Sequence, residues 1–242
     1  MVTTERKTSA PWPFNLYQTA VGKKWVMALT GIALIGFVIA HMIGNWKIFL
    51  PDVDGVPEID VYAEALRSLF FPLMPEHVVL WILRTGLIVA FIFHVHAAYS
   101  LTIMNRRSRV DDYQGPRHYV AANYASRTMR WSGVIFFAFL LFHLADLTWG
   151  IEPAAPEVWE RGEVYANFVA TFSRAPVTIF YVISMVLLGV HLYHGAWSMF
   201  QSLGINNPRY NAARRYFAVG LAGLVVVGNA IMPLAVLFDW VG

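Results

Sequence analysis

The sequence predicts an all-α membrane protein that crosses the bilayer five times. Hydrophobic residues make up 57% of the 242 residues and charged residues only 14%, whereas a soluble domain carries about 25% charged residues. High hydrophobicity at low charge also excludes a disordered chain. The chain contains no cysteine, which excludes a disulfide framework, a thiolate zinc site and an iron–sulfur cluster held by this chain. Any redox cofactor must therefore have ligands other than sulfur.

Five apolar segments are long enough to cross a membrane as helices. A hydrocarbon core of about 30 Å requires roughly 20 apolar residues in an α-helix. The segments that meet this requirement run over approximately residues 25–46, 78–104, 131–149, 177–203 and 216–238. The segments between them are too short for separate domains, so we predict one transmembrane domain over residues 1–242. We expect a short amphipathic helix in each of the two acidic loops.

The positions of the tryptophan residues agree with the predicted ends of the spans. This residue concentrates at the membrane–water interface. In chain order it lies near the ends of the first span (Trp25, Trp46), the second (Trp81), the third (Trp131, Trp149), the fourth (Trp197) and the fifth (Trp240).

Charged residues predict the orientation. Residues 1–24, 105–130 and 201–215 together hold 13 of the 18 Lys and Arg residues. Residues 47–84 and 146–176, with Asp239, hold 12 of the 15 Asp and Glu residues. Since cytoplasmic loops carry the excess of Lys and Arg, we expect the N-terminus in the cytoplasm and the C-terminus outside.

Histidines are the most unusual polar residues of the spans. An ionisable residue inside the bilayer is costly and indicates a functional site, although a histidine can also form a hydrogen bond between two helices. Neutral imidazole is a common ligand of haem iron. Histidines on four consecutive spans favour haem ligation over four separate helix contacts. The six within the spans are His41, His94, His96, His143, His191 and His194.

Depth in the membrane divides four of these histidines into two pairs. His41 and His143 lie within six residues of the outer ends of the first and third spans. His96 and His191 lie about 15 Å and 18 Å from the inner boundary, at a rise of about 1.5 Å per residue. We therefore expect each pair to supply the two axial ligands of one haem, with the two haems stacked across the membrane.

An internal repeat supports this arrangement. A Thr-Gly pair at 30–31 and a Ser-Gly pair at 132–133 precede His41 and His143, each with nine residues between the glycine and the histidine. Small residues allow a flat macrocycle to approach a helix backbone, although they are also common in spans without a cofactor. The spans thus form two similar helix pairs with a fifth helix added.

These motifs resemble those of a known family, the cytochrome b558 membrane-anchor subunits of succinate dehydrogenase and fumarate reductase. The resemblance is to the single-subunit form with five helices and two haems, and it covers the whole chain. It rests on Thr-Gly-x9-His at 30–41, His-Ala-Ala-Tyr at 96–99, Arg-Trp-Ser-Gly-x9-His-Leu-Ala-Asp at 130–146, and His-Leu-Tyr-His-Gly-Ala-Trp-Ser at 191–198.

By this resemblance the bundle holds two stacked b haems, with His41 and His143 on the outer haem and His96 and His191 on the inner haem. His94 and His96 point about 200° apart around their helix, so both cannot face one haem. The His-Ala-x-Tyr pattern of the family begins at His96, and we therefore expect His94 to be a helix contact. We expect His194, one turn beyond His191, to bind a propionate or to line a quinone pocket near the inner face.

Cationic residues near the spans are candidates for binding haem propionates. Lys24, Arg127 and Arg130 lie at the inner ends of the first and third spans, where anchoring at the positive side explains them equally well. Arg84 lies in the outer part of the second span, on the acidic side. We expect it near the outer haem propionates or a quinone.

Asp146 lies one turn beyond His143. A carboxylate within hydrogen-bond reach of a quinone is able to transfer a proton during quinone reduction. An interfacial acid or a contact at a helix end explains this residue equally well.

The resemblance implies electron transfer between an iron–sulfur subunit and menaquinone, as a subunit of succinate:menaquinone oxidoreductase (respiratory complex II of the tricarboxylic acid cycle). The chain has no Gly-x-Gly-x-x-Gly motif, so dicarboxylate chemistry belongs to flavoprotein and iron–sulfur partners on the cytoplasmic face. We expect two haem b groups, menaquinone as the substrate, a bacterial cytoplasmic membrane as the location, and no nucleic acid. The sequence leaves open whether the whole complex forms a higher oligomer.

Three other functions agree with parts of the sequence. The same anchor role in a quinol:fumarate reductase is the nearest of them. A haem b anchor of another respiratory dehydrogenase, such as a hydrogenase or a formate dehydrogenase, is a further alternative, although the Thr-Gly-x9-His repeat and the His-Leu-Tyr-His-Gly-Ala-Trp-Ser stretch argue against it. From a different class, a proton-coupled transporter would also use histidines inside the membrane.

Overall fold

The computed structural model describes residues 11–12, 14–108 and 124–242, and for 124–128 the backbone alone. Helices account for 77% of the structure, and the described part of the chain contains no strands. In chain order the helices are α1 (Phe14–Gln18), α2 (Ala20–Asn45), α3 (Glu58–Arg67), α4 (Val78–Arg107), α5 (Tyr124–His143), α6 (Val164–Phe172), α7 (Ala175–Ser202) and α8 (Asn211–Leu237). Three shorter turns join them: 3₁₀ turns at Trp46–Phe49 and Pro208–Tyr210, and a π-helix at Leu144–Trp149.

Five helical segments of the described chain are long and apolar enough to cross a membrane, which confirms the predicted multi-pass architecture. They are Ala20–Phe49, Val78–Arg107, Met129–Trp149, Ala175–Ser202 and Pro208–Leu237. A helix of 30 residues is about 45 Å long, whereas the hydrocarbon core measures about 30 Å. Three of the five segments have 30 residues and are therefore longer than this core.

The long helices pack as two pairs with a fifth helix against one of them. α2 packs on α4, α5 packs on α7, and α8 packs along α7 while also contacting α2. The apolar core lies mainly on α7 and α8, where Leu188 and Val225 are buried. Of the 30 residues of α4, only Ala97 and Leu101 are buried. Exposed apolar side chains on the other helix faces suit a lipid environment.

The two ends of the bundle differ in charge. The acidic end consists of residues 46–77, 144–174 and 238–242, and the basic end consists of α1, the C-terminal end of α4 and residues 203–210. The acidic and basic segments of the sequence therefore lie at opposite ends of one bundle.

The acidic end is closed by α3 and α6, the two short helices that the sequence predicts. The carboxylate of Asp60 in α3 accepts hydrogen bonds from the backbone N–H groups of Val164 (2.8 Å) and Tyr165 (3.0 Å) at the start of α6. Backbone donors at a helix start otherwise lack partners, so this contact stabilises α6. Lys47 Nζ and Glu58 Oε1, 2.5 Å apart, join the 3₁₀ turn after α2 to α3.

Candidate functional site

Two pairs of histidines face each other across the bundle, one pair toward each end. At the acidic end, the ring centroids of His41 (α2) and His143 (the last residue of α5) are 5.9 Å apart, with the ring planes at 89°. One turn earlier on each helix, a phenylalanine lies against the imidazole. Phe37 stacks on His41 at 5.3 Å, and Phe139 stacks on His143 at 5.9 Å.

The pair nearer the basic end consists of His94 (α4) and His191 (α7), whose ring centroids are 6.4 Å apart. This corrects the predicted pairing of His96 with His191. His96 lies on the other face of α4, where it is exposed and its Nδ1 lies 2.5 Å from the hydroxyl of Tyr17. Desolvation by partial burial raises the pKa of Tyr17. The family pattern thus points to His96, whereas the structure places His94 opposite His191.

Hydroxyl groups from the neighbouring helix contact both histidines of this second pair. Thr30 Oγ1 (α2) lies 3.2 Å from His94 Nδ1, and Ser132 Oγ (α5) lies 3.4 Å from His191 Nδ1. Each hydroxyl donates its hydrogen to a backbone carbonyl of the preceding turn, at 2.7 Å for Thr30 and 2.9 Å for Ser132. The hydroxyl oxygen then accepts from Nδ1–H, which leaves the Nε2 lone pair to bind a metal.

The Thr-Gly and Ser-Gly motifs therefore serve the histidine of the adjacent helix, and not the histidine that follows them in sequence. A Cβ built at Gly31 would lie 3.5 Å from the His94 ring, and one at Gly133 would lie 3.6 Å from the His191 ring. Glycine at these positions leaves each imidazole lying close along the backbone of the neighbouring helix.

Both separations fit two imidazoles on opposite sides of one iron. A metal–imidazole bond of about 2 Å, with the ring centroid about 1 Å behind the nitrogen, places two such centroids about 6 Å apart. The observed values are 5.9 Å and 6.4 Å. His41 needs one adjustment, because its Nε2 lies 3.2 Å from the side-chain amide of Asn45. Ligation through that nitrogen requires this amide to turn away.

The two pairs occupy different levels of the bundle. Thr30, at the level of His94, and His41 are eleven residues apart on α2, which corresponds to about 16 Å along the helix axis. Between these levels Phe91 of α4 stacks on Phe137 of α5, with centroids 5.8 Å apart. The arrangement offers two separate sites with an apolar layer between them.

Asp146 lies in a closed network behind His143. Its side chain is completely buried within the π-helix that continues α5. One carboxylate oxygen accepts from Thr171 (3.0 Å) and from Arg174 (2.9 Å), and the other accepts from the hydroxyl of Tyr181 (2.8 Å). The predicted role in proton transfer to a quinone does not fit this position, because both oxygens are occupied and no ligand has access to them.

The cationic candidates lie on the surface of the bundle. Lys24 and Arg130 are exposed at the basic end, about 9 Å before Thr30 on α2 and about 3 Å before Ser132 on α5. Arg84 is exposed in the part of α4 nearer the acidic end, with its guanidinium 5.3 Å from the ring of Trp81. The side chain of Arg127 lies outside the described residues.

His194 is half-buried one turn beyond His191, toward the basic end. This position lies one turn from the His94–His191 pair, and the role of His194 toward a propionate or a quinone stays a prediction.

Sequence reasoning missed three features of the site. The repeat is longer than predicted and reads (Thr/Ser)-Gly-x5-Phe-x3-His, because Phe37 and Phe139 occupy equivalent positions. Arg174 was also missed, although a lone arginine at the acidic end of a span is as unusual as Arg84. The contact of Tyr181 with Asp146 has no signal in sequence, because it joins residues that are 35 positions apart.

Comparisons of the chain with family models, with curated proteins and with solved structures give no match.

Proposed function

We propose that this chain is a dihaem cytochrome b that carries electrons through a membrane. The observation that supports the proposal most directly is the presence of two histidine pairs at different depths in the bundle. In each pair the ring-centroid separation is the one that bis-imidazole ligation requires. The two histidine pairs would hold the haems, and iron with two imidazole ligands would supply one-electron transfer without binding oxygen or substrate.

In this proposal the residues of the chain bind and orient the two haems. His41 and His143 are the ligands at the acidic end, and His94 and His191 are those nearer the basic end. Lys24 and Arg130 neutralise propionates at the basic end, with His194 as a further donor. Arg84 has the corresponding role, toward propionates or a quinone, in the other half of the bundle.

We further propose that the chain anchors a succinate:menaquinone oxidoreductase in a bacterial cytoplasmic membrane. This step depends on the resemblance of its motifs to cytochrome b558 anchors. The basic end would face the cytoplasm and bind the flavoprotein and iron–sulfur subunits, which receive electrons from succinate. Menaquinone would take the electrons from the haems. If the quinone reacts near the acidic end, each electron crosses the membrane potential, which is worth about 2.3 kcal/mol per 100 mV.

Purification of the chain from membranes, together with its bound subunits, tests this function. We expect a reduced-minus-oxidised spectrum of b type, two haems per chain in a pyridine haemochrome assay, and reduction of the haems by succinate. Haem content far below two would contradict the cytochrome function and would favour the transporter. Two haems that fumarate oxidises and succinate does not reduce would favour the fumarate reductase. Two haems that respond to neither would favour the anchor of another dehydrogenase.

A further inference from the structure

The groups that contact the histidine Nδ1 differ between the two ends of the bundle. Near the basic end, the hydroxyls of Thr30 and Ser132 contact the histidines, and each passes its hydrogen to a neutral backbone carbonyl. At the acidic end, Tyr181 Oη lies 3.4 Å from His143 Nδ1 and donates its hydrogen to the carboxylate of Asp146. Only the second arrangement ends in an ionised group.

The local backbone creates this difference. The π-helix at Leu144–Trp149 directly follows His143, and a single π-turn often marks a functional site. The wider turn carries Asp146 into the interior, where its side chain has no exposed surface. Arg174, at the start of α7, binds the carboxylate oxygen that Tyr181 does not use. The ion pair keeps a carboxylate in a position where an unpaired charge would be very unfavourable.

The hydrogen-bond directions follow from the donor inventory. A tyrosine hydroxyl has one hydrogen, and here the carboxylate accepts it. The remaining lone pairs of Tyr181 then accept from Nδ1–H of His143. Two consecutive hydrogen bonds thus run from His143 Nδ1–H to the Tyr181 hydroxyl and from that hydroxyl to the Asp146 carboxylate. They orient the imidazole with Nε2 toward the candidate iron position. A carboxylate behind a ligating histidine also makes that ligand more basic.

We propose that Tyr181 and Asp146 are positioning residues that lower the midpoint potential of the haem at the acidic end. The inference rests on the proposed cytochrome function and adds a residue-level cause for unequal haems. A more basic histidine stabilises oxidised iron more than reduced iron. The basic-end haem lacks such a carboxylate among the described contacts of its histidines, so the same substitutions leave it unchanged.

The test is a redox titration of the purified complex, followed by its haem absorption, in Tyr181→Phe and Asp146→Asn. Tyr181→Phe removes the hydroxyl and leaves the Arg174–Asp146 pair in place, so it is the primary variant. We expect it to keep two haems and to raise the midpoint of one. A tenfold shift in the ratio of oxidised to reduced haem corresponds to about 59 mV for a one-electron couple. Asp146→Asn should shift the same haem in the same direction.

Two controls identify the haem that is affected. His41→Leu removes the acidic-end haem, and the component that disappears should be the one that Tyr181→Phe shifts. Ser132→Ala removes a neutral hydroxyl and should leave that component unchanged. Unchanged potentials in Tyr181→Phe with two haems bound, or a shift confined to the other haem, would overturn the inference and leave the cytochrome function intact. Absence of haem from the unmodified complex would instead overturn the proposed function, and this inference with it.

Discussion

His94 belongs to the basic-end pair because of its position on the surface of α4. α4 packs against α2, and on that face Thr30 Oγ1 approaches His94 Nδ1 to 3.2 Å. Two residues later the helix has turned by about 200°, and His96 meets Tyr17 of α1 instead. A helix with so few buried positions gives no hydrophobic stripe from which sequence reasoning could choose between these two faces.

Substitution of these two histidines separates the structural assignment from the one that the motif suggests. We expect His94→Leu to lose one haem and His96→Leu to keep both, because only His94 faces His191. Haem-to-protein ratios and the reduced spectrum measure the outcome. The two variants are matched, since each replaces one imidazole of α4 with an apolar side chain of similar size. Loss of haem from His96→Leu alone would contradict the structure and support the motif.

At the scale of helices, Gly228 of α8 fixes how closely α2 approaches at the acidic end. A Cβ at this position would overlap the sulfur of Met42, the residue that follows His41. The backbone carbonyl of Gly228 also accepts a hydrogen bond from the indole of Trp46, at 2.7 Å. Small residues at helix contacts allow this kind of close packing in membranes.

We therefore expect Gly228→Val to destabilise the protein and to weaken haem binding at the acidic end. Forcing extra groups into a packed contact costs about 1–3 kcal/mol, and here the displaced side chain is adjacent to His41. Thermal unfolding in detergent and haem retention on heating measure the two effects. Gly223→Val on the same helix is the control, because a Cβ there meets no atom within 4 Å. Equal loss in both variants would indicate a general effect of valine in α8.

The helices themselves were predictable, because the bilayer fixes their length and requires apolar residues over almost all of it. Contacts between side chains within the bundle were predictable only where an internal repeat or the depth of a residue in the membrane indicated them, as for His41 and His143. The helix rotation that selects His94 depends on packing between α2 and α4. The contact of Asp146 with Tyr181 depends on the π-helix, for which residues 144–149 carry no recognisable signal.

At the scale of the whole molecule, the two helix pairs repeat one design. The first helix of each pair, α2 or α5, carries a hydroxyl-glycine motif near the basic end and a histidine near the acidic end. The second helix, α4 or α7, carries the histidine that this hydroxyl contacts. Each candidate site thus takes one ligand from each pair, so binding of either haem would hold the two pairs together.

The direction of electron flow through this design depends on which end faces the cytoplasm. The distribution of charged residues predicts that the basic end faces the cytoplasm. Because the chain contains no cysteine, an introduced cysteine is its only thiol, and labelling of that thiol tests the prediction. Glu157 at the acidic end and Ser108 at the end of α4 are both exposed. In intact spheroplasts a membrane-impermeant maleimide should label Glu157→Cys and should label Ser108→Cys only after permeabilisation. Labelling of both variants after permeabilisation is the control for reactivity. The reverse pattern would place the acidic end in the cytoplasm, and the docking face proposed for the iron–sulfur subunit would then be wrong.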